Sequence, residues 1–285
     1  MIQSMTGYGK QVIQLPSRKI TVEIKSLNSR NLDINTRIPS SYREKELEIR
    51  NRIAASLTRG KIDFNLYIEI TGEESNTSIN AGVVQHYMQQ LQDIVPGEQM
   101  EHLKMAMRLP DSLKTERDEI DEGEYKTIVD AIDKALEALN TYRTDEGKVL
   151  LEDFADRIKA LHLLLEEVVV MDPQRTEQVK ERLRKALSEL KENVDENRFE
   201  QELIYYLEKY DITEEKVRLK SHLDYFDQAL HSDDSNGKKL GFISQEIGRE
   251  INTIGSKSNY APMQKLVVQM KDELEKIKEQ ALNVL

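Results

Sequence analysis

The chain contains no cysteine among its 285 residues. That excludes disulfides, thiolate catalysis, Cys-ligated zinc and iron–sulfur clusters, and it suits a reducing compartment. Any metal would have to sit on oxygen or imidazole. No stretch approaches the roughly 18 consecutive apolar residues of a membrane-spanning helix, and the opening MIQSMTGYGKQV has no basic segment followed by an apolar run. A soluble cytoplasmic protein with no membrane contact is therefore expected. Also missing are a phosphate-cradling P-loop, a GxGxxG turn, an HExxH helix and a GxSxG elbow, so nucleotide-binding, zinc-protease and serine-hydrolase readings have no footing. There is no internal repeat and no low-complexity segment.

Positive charge is scarce overall. The net charge of −11, with 33% charged residues, argues globally against nucleic acid, whose phosphates are held by Lys and Arg. The charge is segregated, however. Residues 37–61 carry seven basic side chains against three acidic ones, a net of +4, whereas residues 111–124 carry seven acidic ones against Lys114 and Arg117, a net of −5.

Apolar residues alternate with polar ones along Ile20, Val22, Ile24, along Leu32, Ile34, Ile38, and most cleanly along Ile62, Phe64, Leu66, Ile68, Ile70, the period of a half-buried sheet. Pro16-Ser17 and Asn28-Ser29 supply turns. Between these strands a helix is expected to start near Ser41 with a Ser41/Glu44 capping box, to bury Ile49, Ile53 and Leu57, and to stop at Gly60. Helices over 79–94 and 98–108 follow, and then an acidic segment with the composition of an exposed linker.

From Glu124 onward the pattern is helical. Ile128, Ile132, Leu136 and Leu139 lead into Leu150, Phe154, Ile158, Leu161 and Leu165, and Asp172-Pro173 is expected to end the run. This is a very long helix or a hairpin arm, with a second arm over 174–194 whose i,i+4 charge pairs suit a solvated antiparallel coiled coil. Shorter helices are expected at 197–209, 213–231, 238–256 and 261–283. The expected class is α+β: an N-terminal α/β domain (1–110) with a small, mostly antiparallel sheet, an acidic linker (111–123), and an all-helical C-terminal domain (124–285) with long coiled-coil-like arms.

The polar residues that could carry chemistry lie beside apolar stripes. In LGFISQEIGREINTIGSKS, Ile243, Ile247, Ile251 and Ile254 form the stripe, and Glu246, Glu250, Thr253 and Lys257 run along its border. In TEEKVRLKSHLDYFDQAL the stripe is Leu219, Leu223, Phe226 and Leu230, bordered by Glu215, Arg218, His222 and Tyr225. Were these rims to face each other, Glu215, His222, Glu246 and Glu250 would form an oxygen-plus-imidazole site suited to Mg²⁺ or Mn²⁺. A third group is Arg143, Glu146 and Asp153 in RTDEGKVLLEDF. Against each stands an ordinary explanation, since i,i+3 and i,i+4 charge pairs are common on solvated helices. His86, His102, His162 and His231 have no partner pattern, and Tyr205-Tyr206 and Met100, Met105 and Met107 read as core rather than as a stacking platform.

The order of motifs adds to this. SMTGYG at the start, SLNSRNLD, TRGK before a strand, EGKVL at 146–150, and DITEEKVRLKSHLDYF followed by QEIGREINTIGSKSN together resemble the YicC/YloC family of bacterial endoribonucleases over nearly the whole chain. The resemblance implies an N-terminal α/β domain, a helical C-terminal domain and divalent-metal-dependent cleavage of RNA. By motif, it carries the family's polar positions onto Glu146 and Gly147, onto Arg198, Gln201 and Glu202, onto Glu214, Glu215, Arg218, Ser221 and His222, and onto Gln245, Glu246, Arg249, Glu250, Asn252, Thr253, Ser256 and Lys257. Gln245, Arg249, Asn252 and Ser256 line the opposite face of their helix, which suggests a helix sandwiched between a site and a contact surface.

Expected roles follow. Glu246 and Glu250, with His222 or Glu215, would hold one divalent ion, while Arg218, Arg249 or Lys257 offsets transition-state charge. His222 could instead act as a base on the RNA 2′-OH. Arg30, Arg37, Arg52, Arg59 and Lys61 would hold RNA through its phosphates, more easily in a homo-oligomer such as a hexamer, where small basic patches add up. The rival reading is a non-catalytic coiled-coil adaptor or RNA-binding assembly factor, supported by the long amphipathic arms and the acidic balance.

Overall fold

The structure, a computed structural model, describes residues 2–71, 77–115, 121–189, 196–232 and 237–285. Residues 116–120 of the acidic segment and 190–194 of the expected second arm lie outside the described residues. The chain divides into two compact units, one of Tyr8–Ser26 with Asn31–Leu139, the other of Met1–Gly7, Leu27–Arg30 and Asn140–Leu285. We call them the sheet unit and the helical unit.

The sheet unit contains β1 (Gly7–Gln14), β2 (Arg18–Leu27), β3 (Leu32–Arg37) and β4 (Gly60–Ile70), ordered β1-β2-β4-β3. A tight turn joins β1 to β2, its Leu15 N–H donating to Arg18 O at 2.8 Å. The Thr71 N–H donates to Ser17 O, so the end of β4 meets the start of β2 and these strands run antiparallel. β3 and β4 are parallel, from Leu32 opposite Gly60 to Arg37 opposite Asn65. A parallel pair needs a crossover. It is supplied by a 3₁₀ turn, Ser40–Lys45, and α1 (Glu46–Ser56). The capping box at Ser41 does not form: Ser41 lies inside the 3₁₀ turn, α1 has no side-chain cap, and Gly60 is not a helix stop but opens β4 at φ 127°.

The inward-facing Ile20, Val22, Ile24, Ile62, Phe64 and Leu66 bury against Ile49, Ile53 and Leu57 of α1 and against Ile128, Ile132, Leu136 and Leu139. Those last four belong to the first turns of α4 (Glu122–Glu189), which therefore complete the core of the sheet unit. Gly9 is required there, because an added Cβ would collide with the carbonyl of Ala135. β5 (Thr77–Ile79) and β6 (Leu113–Thr115) pair as a short antiparallel ribbon that brackets α2 (Ala81–Ile94) and α3 (Gln99–Ala106).

In the helical unit α4 is followed by α5 (Glu196–Lys209), α6 (Thr213–His231), α7 (Gly237–Lys257) and α8 (Ala261–Ala281). α7 packs against both α6 and α8, and the expected stripes meet in one core with Phe154 and Phe226 at a ring distance of 5.8 Å. Asp172-Pro173 does not end α4, which runs on to Glu189 as one helix rather than turning back as an antiparallel hairpin. A proline frees one carbonyl a turn earlier. Here Val169 and Val170 are exposed, so water can reach that carbonyl, while Asp172 is pinned by Arg175 Nε at 2.8 Å and Lys216 Nζ at 2.6 Å.

The opening motif is held by the same unit. Ser4 N–H donates to Arg143 O, Met5 N–H to Asn283 O, Leu285 N–H to Gln3 O, and the Thr6 hydroxyl to Glu146 at 2.6 Å. Gly147 can carry no Cβ, which would strike the Ile2 carbonyl. Arg143 is buried and donates to Met5 O, and Asp153 pairs with Arg157 at 2.7 Å. The third candidate group is thus accounted for as packing.

Candidate functional site on α6 and α7

α6 and α7 are amphipathic helices that bury their aliphatic stripes on each other, and one cross-helix bond sets their direction. Lys257 Nζ, in the last turn of α7, donates to Glu215 Oε1 in the first turn of α6 at 2.7 Å and to Asp211 O at 2.9 Å. The helices are therefore antiparallel. At equal rise along both, His222 falls level with Glu250 and Phe226 level with Glu246.

The border of α7 is placed as its spacing predicts, with Glu246, Glu250, Thr253 and Lys257 all half-buried. Gln245, Arg249, Asn252 and Ser256 are exposed, so within this unit α7 is not sandwiched on that side. On α6, Glu215 is buried, His222 half-buried, and Arg218 and Tyr225 exposed.

The partners divide the candidates into three groups. Glu246 accepts twice from Arg249 Nη1, both at 3.1 Å, and Arg218 donates to Glu214 at 2.7 Å; these are intrahelical pairs on or near the surface. Glu215, only 6% exposed, gives one oxygen to Lys257, and its other oxygen, Oε2, is buried without a partner. Glu250 and His222 have no hydrogen-bond or ion-pair partner among the described residues.

The expected set of four ligands does not gather at one point. Glu215 lies beside Lys257, whereas Glu246 sits eleven residues earlier on α7, about 16 Å along the helix. Among the described residues no three His, Asp or Glu side chains cluster as a metal ion would require. What fits a divalent cation is narrower: Glu250 and His222 at one level, one carboxylate and one imidazole, both unengaged. Mg²⁺ and Mn²⁺ accept such sparse protein ligation, because water and substrate phosphate complete their shells.

Spacing missed a second network that supports this pair of helices. Arg175, buried on α4, donates to Asp172 at 2.8 Å, to Tyr210 O at 2.9 Å and to Lys257 O at 3.4 Å, and Lys216 closes the group on Asp172. Read as a helix terminator, Asp172-Pro173 hid the i,i+3 pair Asp172/Arg175 that could have revealed it. Next to it, the Thr213 hydroxyl donates to exposed Asp211 at 2.7 Å and holds that carboxyl below its ordinary value of 3.8.

The basic candidates are divided between the units. Arg30 is exposed in the helical unit; Arg37 and Lys61 are exposed and Arg59 half-buried in the sheet unit. Arg52 is committed to Asp133, to which it donates twice at 2.7 and 2.9 Å, because the first turns of α4 pack over α1. The pair lies at the surface, its side chains 39% and 50% exposed. Tyr205 and Tyr206 are 59% and 39% exposed, and Met100 and Met105 are exposed with Met107 half-buried, so neither group is core as expected. The remaining histidines pack or pair locally: His102 is buried, His86 meets Gln90, His162 lies 3.6 Å from Asp224, and His231 meets Asp227 O. Among the described residues no helix is long and apolar enough to cross a membrane.

The chain matches the description "Endoribonuclease YicC-like, N-terminal region" over residues 2–152 and "Endoribonuclease YicC-like, C-terminal" over residues 168–285. It is 36% identical over 293 aligned residues to a protein named "Probable endoribonuclease YicC" from Clostridioides difficile, and 30% identical over 288 to one of the same name from Haemophilus influenzae. Each alignment covers 100% of both chains. With both halves matched in order and full-length relatives at this identity, the chain belongs to the endoribonuclease YicC-like family.

Proposed function

We propose that this endoribonuclease cleaves RNA phosphodiester bonds with the help of a divalent cation, Mn²⁺ or Mg²⁺, at the rim shared by α6 and α7. The observation that carries the reading is the pair Glu250 and His222, half-buried, at one level of the helix pair and without partners among the described residues. Polar side chains held at the edge of a core with their hydrogen-bonding capacity unspent are disposed to take a ligand. Glu250 and His222 would hold the cation, which when bound offsets charge on the scissile phosphate and lowers the pKa of a water.

Lys257 lies about 10 Å from Glu250 along the same border of α7, and Arg249 adjoins Glu250 on the exposed face. Lys257 is oriented by Glu215 and Asp211 O, and Arg249 is anchored one turn away on Glu246. Charges fixed before substrate arrives stabilise a developing phosphorane without reorganising. His222 could alternatively take the proton of the RNA 2′-OH, and the products separate the routes. A 2′,3′-cyclic phosphate marks attack by the 2′-OH; a 3′-OH with a 5′-phosphate marks attack by water.

The test is cleavage of a labelled RNA by the purified chain in Mn²⁺, in Mg²⁺ and in chelator. Glu250→Gln and His222→Ala should each cost about 10²- to 10⁴-fold in rate, the range for loss of acid–base or ion-positioning groups. Undiminished cleavage in chelator removes the cation, and variants that cut like wild type remove this rim.

RNA would be drawn in through its phosphates by Arg30, Arg37, Arg59 and Lys61. Assembly into a homo-oligomer such as a hexamer would multiply these patches. It is favoured by exposed Ile94, Met100 and Met105 on and beside α2 and α3, apolar surface that a second copy would cover. Light scattering on Ile94→Glu/Met105→Glu checks this: a smaller particle than wild type is expected, and an unchanged mass excludes that surface.

A further inference from the structure

The last turns of α4 form a second basic stretch in this acidic chain. Residues 175–185, RTEQVKERLRK, carry five basic side chains against two acidic ones. Two cavities flank these turns and share Arg175 and Val179 in their walls. The first, about 310 Å³, is lined by Tyr206 of α5 and by Tyr210 just beyond its end, whose rings are parallel within 13° at 6.2 Å. Tyr205 meets Tyr206 edge-on at 6.1 Å. The second cavity, about 400 Å³, is lined by Gln178, Arg182, Lys185 and Tyr260.

The two sides differ in charge. In the tyrosine cavity Glu208 and Asp211 are balanced by Arg175 and Lys180, whereas the second cavity sets Arg175, Arg182 and Lys185 against a single carboxylate, Glu181. Parallel rings at the surface, Tyr206 exposed and Tyr210 half-buried, on one side of a helix and cations on the other suit an unpaired strand: bases stack on the rings while the backbone follows the positive side. A duplex cannot use the rings, because its bases are stacked on one another.

We propose that this flank of the helical unit binds single-stranded RNA, with bases on Tyr206 and Tyr210 and phosphates on Arg182 and Lys185. The platform reaches the candidate cleavage rim through Arg175, which donates both to Tyr210 O beside the stacked rings and to Lys257 O at the end of α7. The inference deepens the reading of the chain as an endoribonuclease and rests on it for the ligand being RNA. It assigns the selection of unpaired strands to residues outside the α6–α7 rim.

The experiment is fluorescence anisotropy of a labelled oligoadenylate, with an RNA duplex of the same length and a polyglutamate peptide as comparisons, on the full chain in excess chelator. Binding is then read without cutting, so a failure of the cleavage mechanism leaves the result intact. Tyr206→Leu is expected to weaken oligoadenylate binding about 5- to 150-fold, the range for loss of one base–aromatic stack, while Tyr206→Phe stays within about twofold of wild type. Arg182→Ala should lower the slope of log affinity against log salt by about one. The proposal is overturned if Tyr206→Leu binds like wild type, if it loses duplex and single strand equally, or if polyglutamate binds as tightly as the oligoadenylate.

Discussion

The two units bury polar groups of different kinds. In the sheet unit the buried groups that titrate, the His102 ring and two phenols, carry no ion pair among the described residues: Tyr42 donates to Glu124 at 2.6 Å, and Tyr125 lies under Lys45, 4.5 Å from its ring centre. In the helical unit they are ions, with Asp172, Arg175 and Glu215 all buried around the junction of α4, α6 and α7. A neutral group costs little to bury once bonded, but an ion must be matched, and breaking a match strands a charge. Polar burial thus seals one unit, whereas in the other it sets the geometry beside the proposed chemistry.

The largest effect that would break this comparison is Lys257→Met. It leaves Glu215 buried with both oxygens unpaired and should cost about 3 kcal/mol, at the low end of the range for a broken buried pair because Lys257 is partly exposed. Chemical denaturation reads it, and a loss below about 1 kcal/mol would place the pair with ordinary surface bridges. Phe154→Ala tests the same unit without charge and should cost about 3 kcal/mol or more through the cavity left beside Phe226.

A smaller effect sharpens the contrast by pH. Burial first, and then neighbouring Glu124, raises the Tyr42 phenol above its ordinary 10; burial and nearby Glu48 push Tyr125 up to about 12. A folded value above the unfolded one means the contribution is complete below pH 10 and is lost as pH rises toward the folded values. Tyrosinate absorbance should therefore appear late and together with melting of the sheet unit, and Tyr42→Phe should soften that alkaline edge. The acid edge is shared: Glu23 in one unit and Asp211 and Glu273 in the other are held low by hydrogen bonds, so their contributions, present above the ordinary values, fade as pH falls through the folded ones. The smallest effect is Arg52→Ala, whose pair with Asp133 is largely solvated and should contribute under about 1 kcal/mol. A loss as large as that of Lys257→Met would erase the distinction between the units.

The helical unit was the more legible of the two. α5 to α8 fall within two residues of their expected bounds because their stripes keep an unbroken helical period. β1 was not foreseen: its inward positions in GYGKQV are two glycines, which leave no apolar alternation to read. Pro173 reads as a helix stop, yet water can reach the carbonyl it frees and Lys216, 44 residues on from Asp172, holds that carboxylate, a contact that no window shows. The rims of the candidate site were legible as well, since half-burial follows from angular position alone. Which residues meet across them was not, because the bond from Lys257 to Glu215 depends on the direction in which α7 packs. Tyr206 shows the converse: aromatic residues were assigned to a core by type, and only its exposure reveals the face it presents.

The hydrogen bonds joining Gln3 and Met5 to Leu285 and Asn283 carry a consequence for the order of events during synthesis. Residues 3 and 5 cannot take their places until residues 283 and 285 have been added, so the helical unit cannot close before residue 285 is made. The sheet unit needs nothing beyond Leu139 for its core. Nascent chains stopped near residue 200 should already show a protease-resistant sheet unit, with residues 2–6 still open to cleavage.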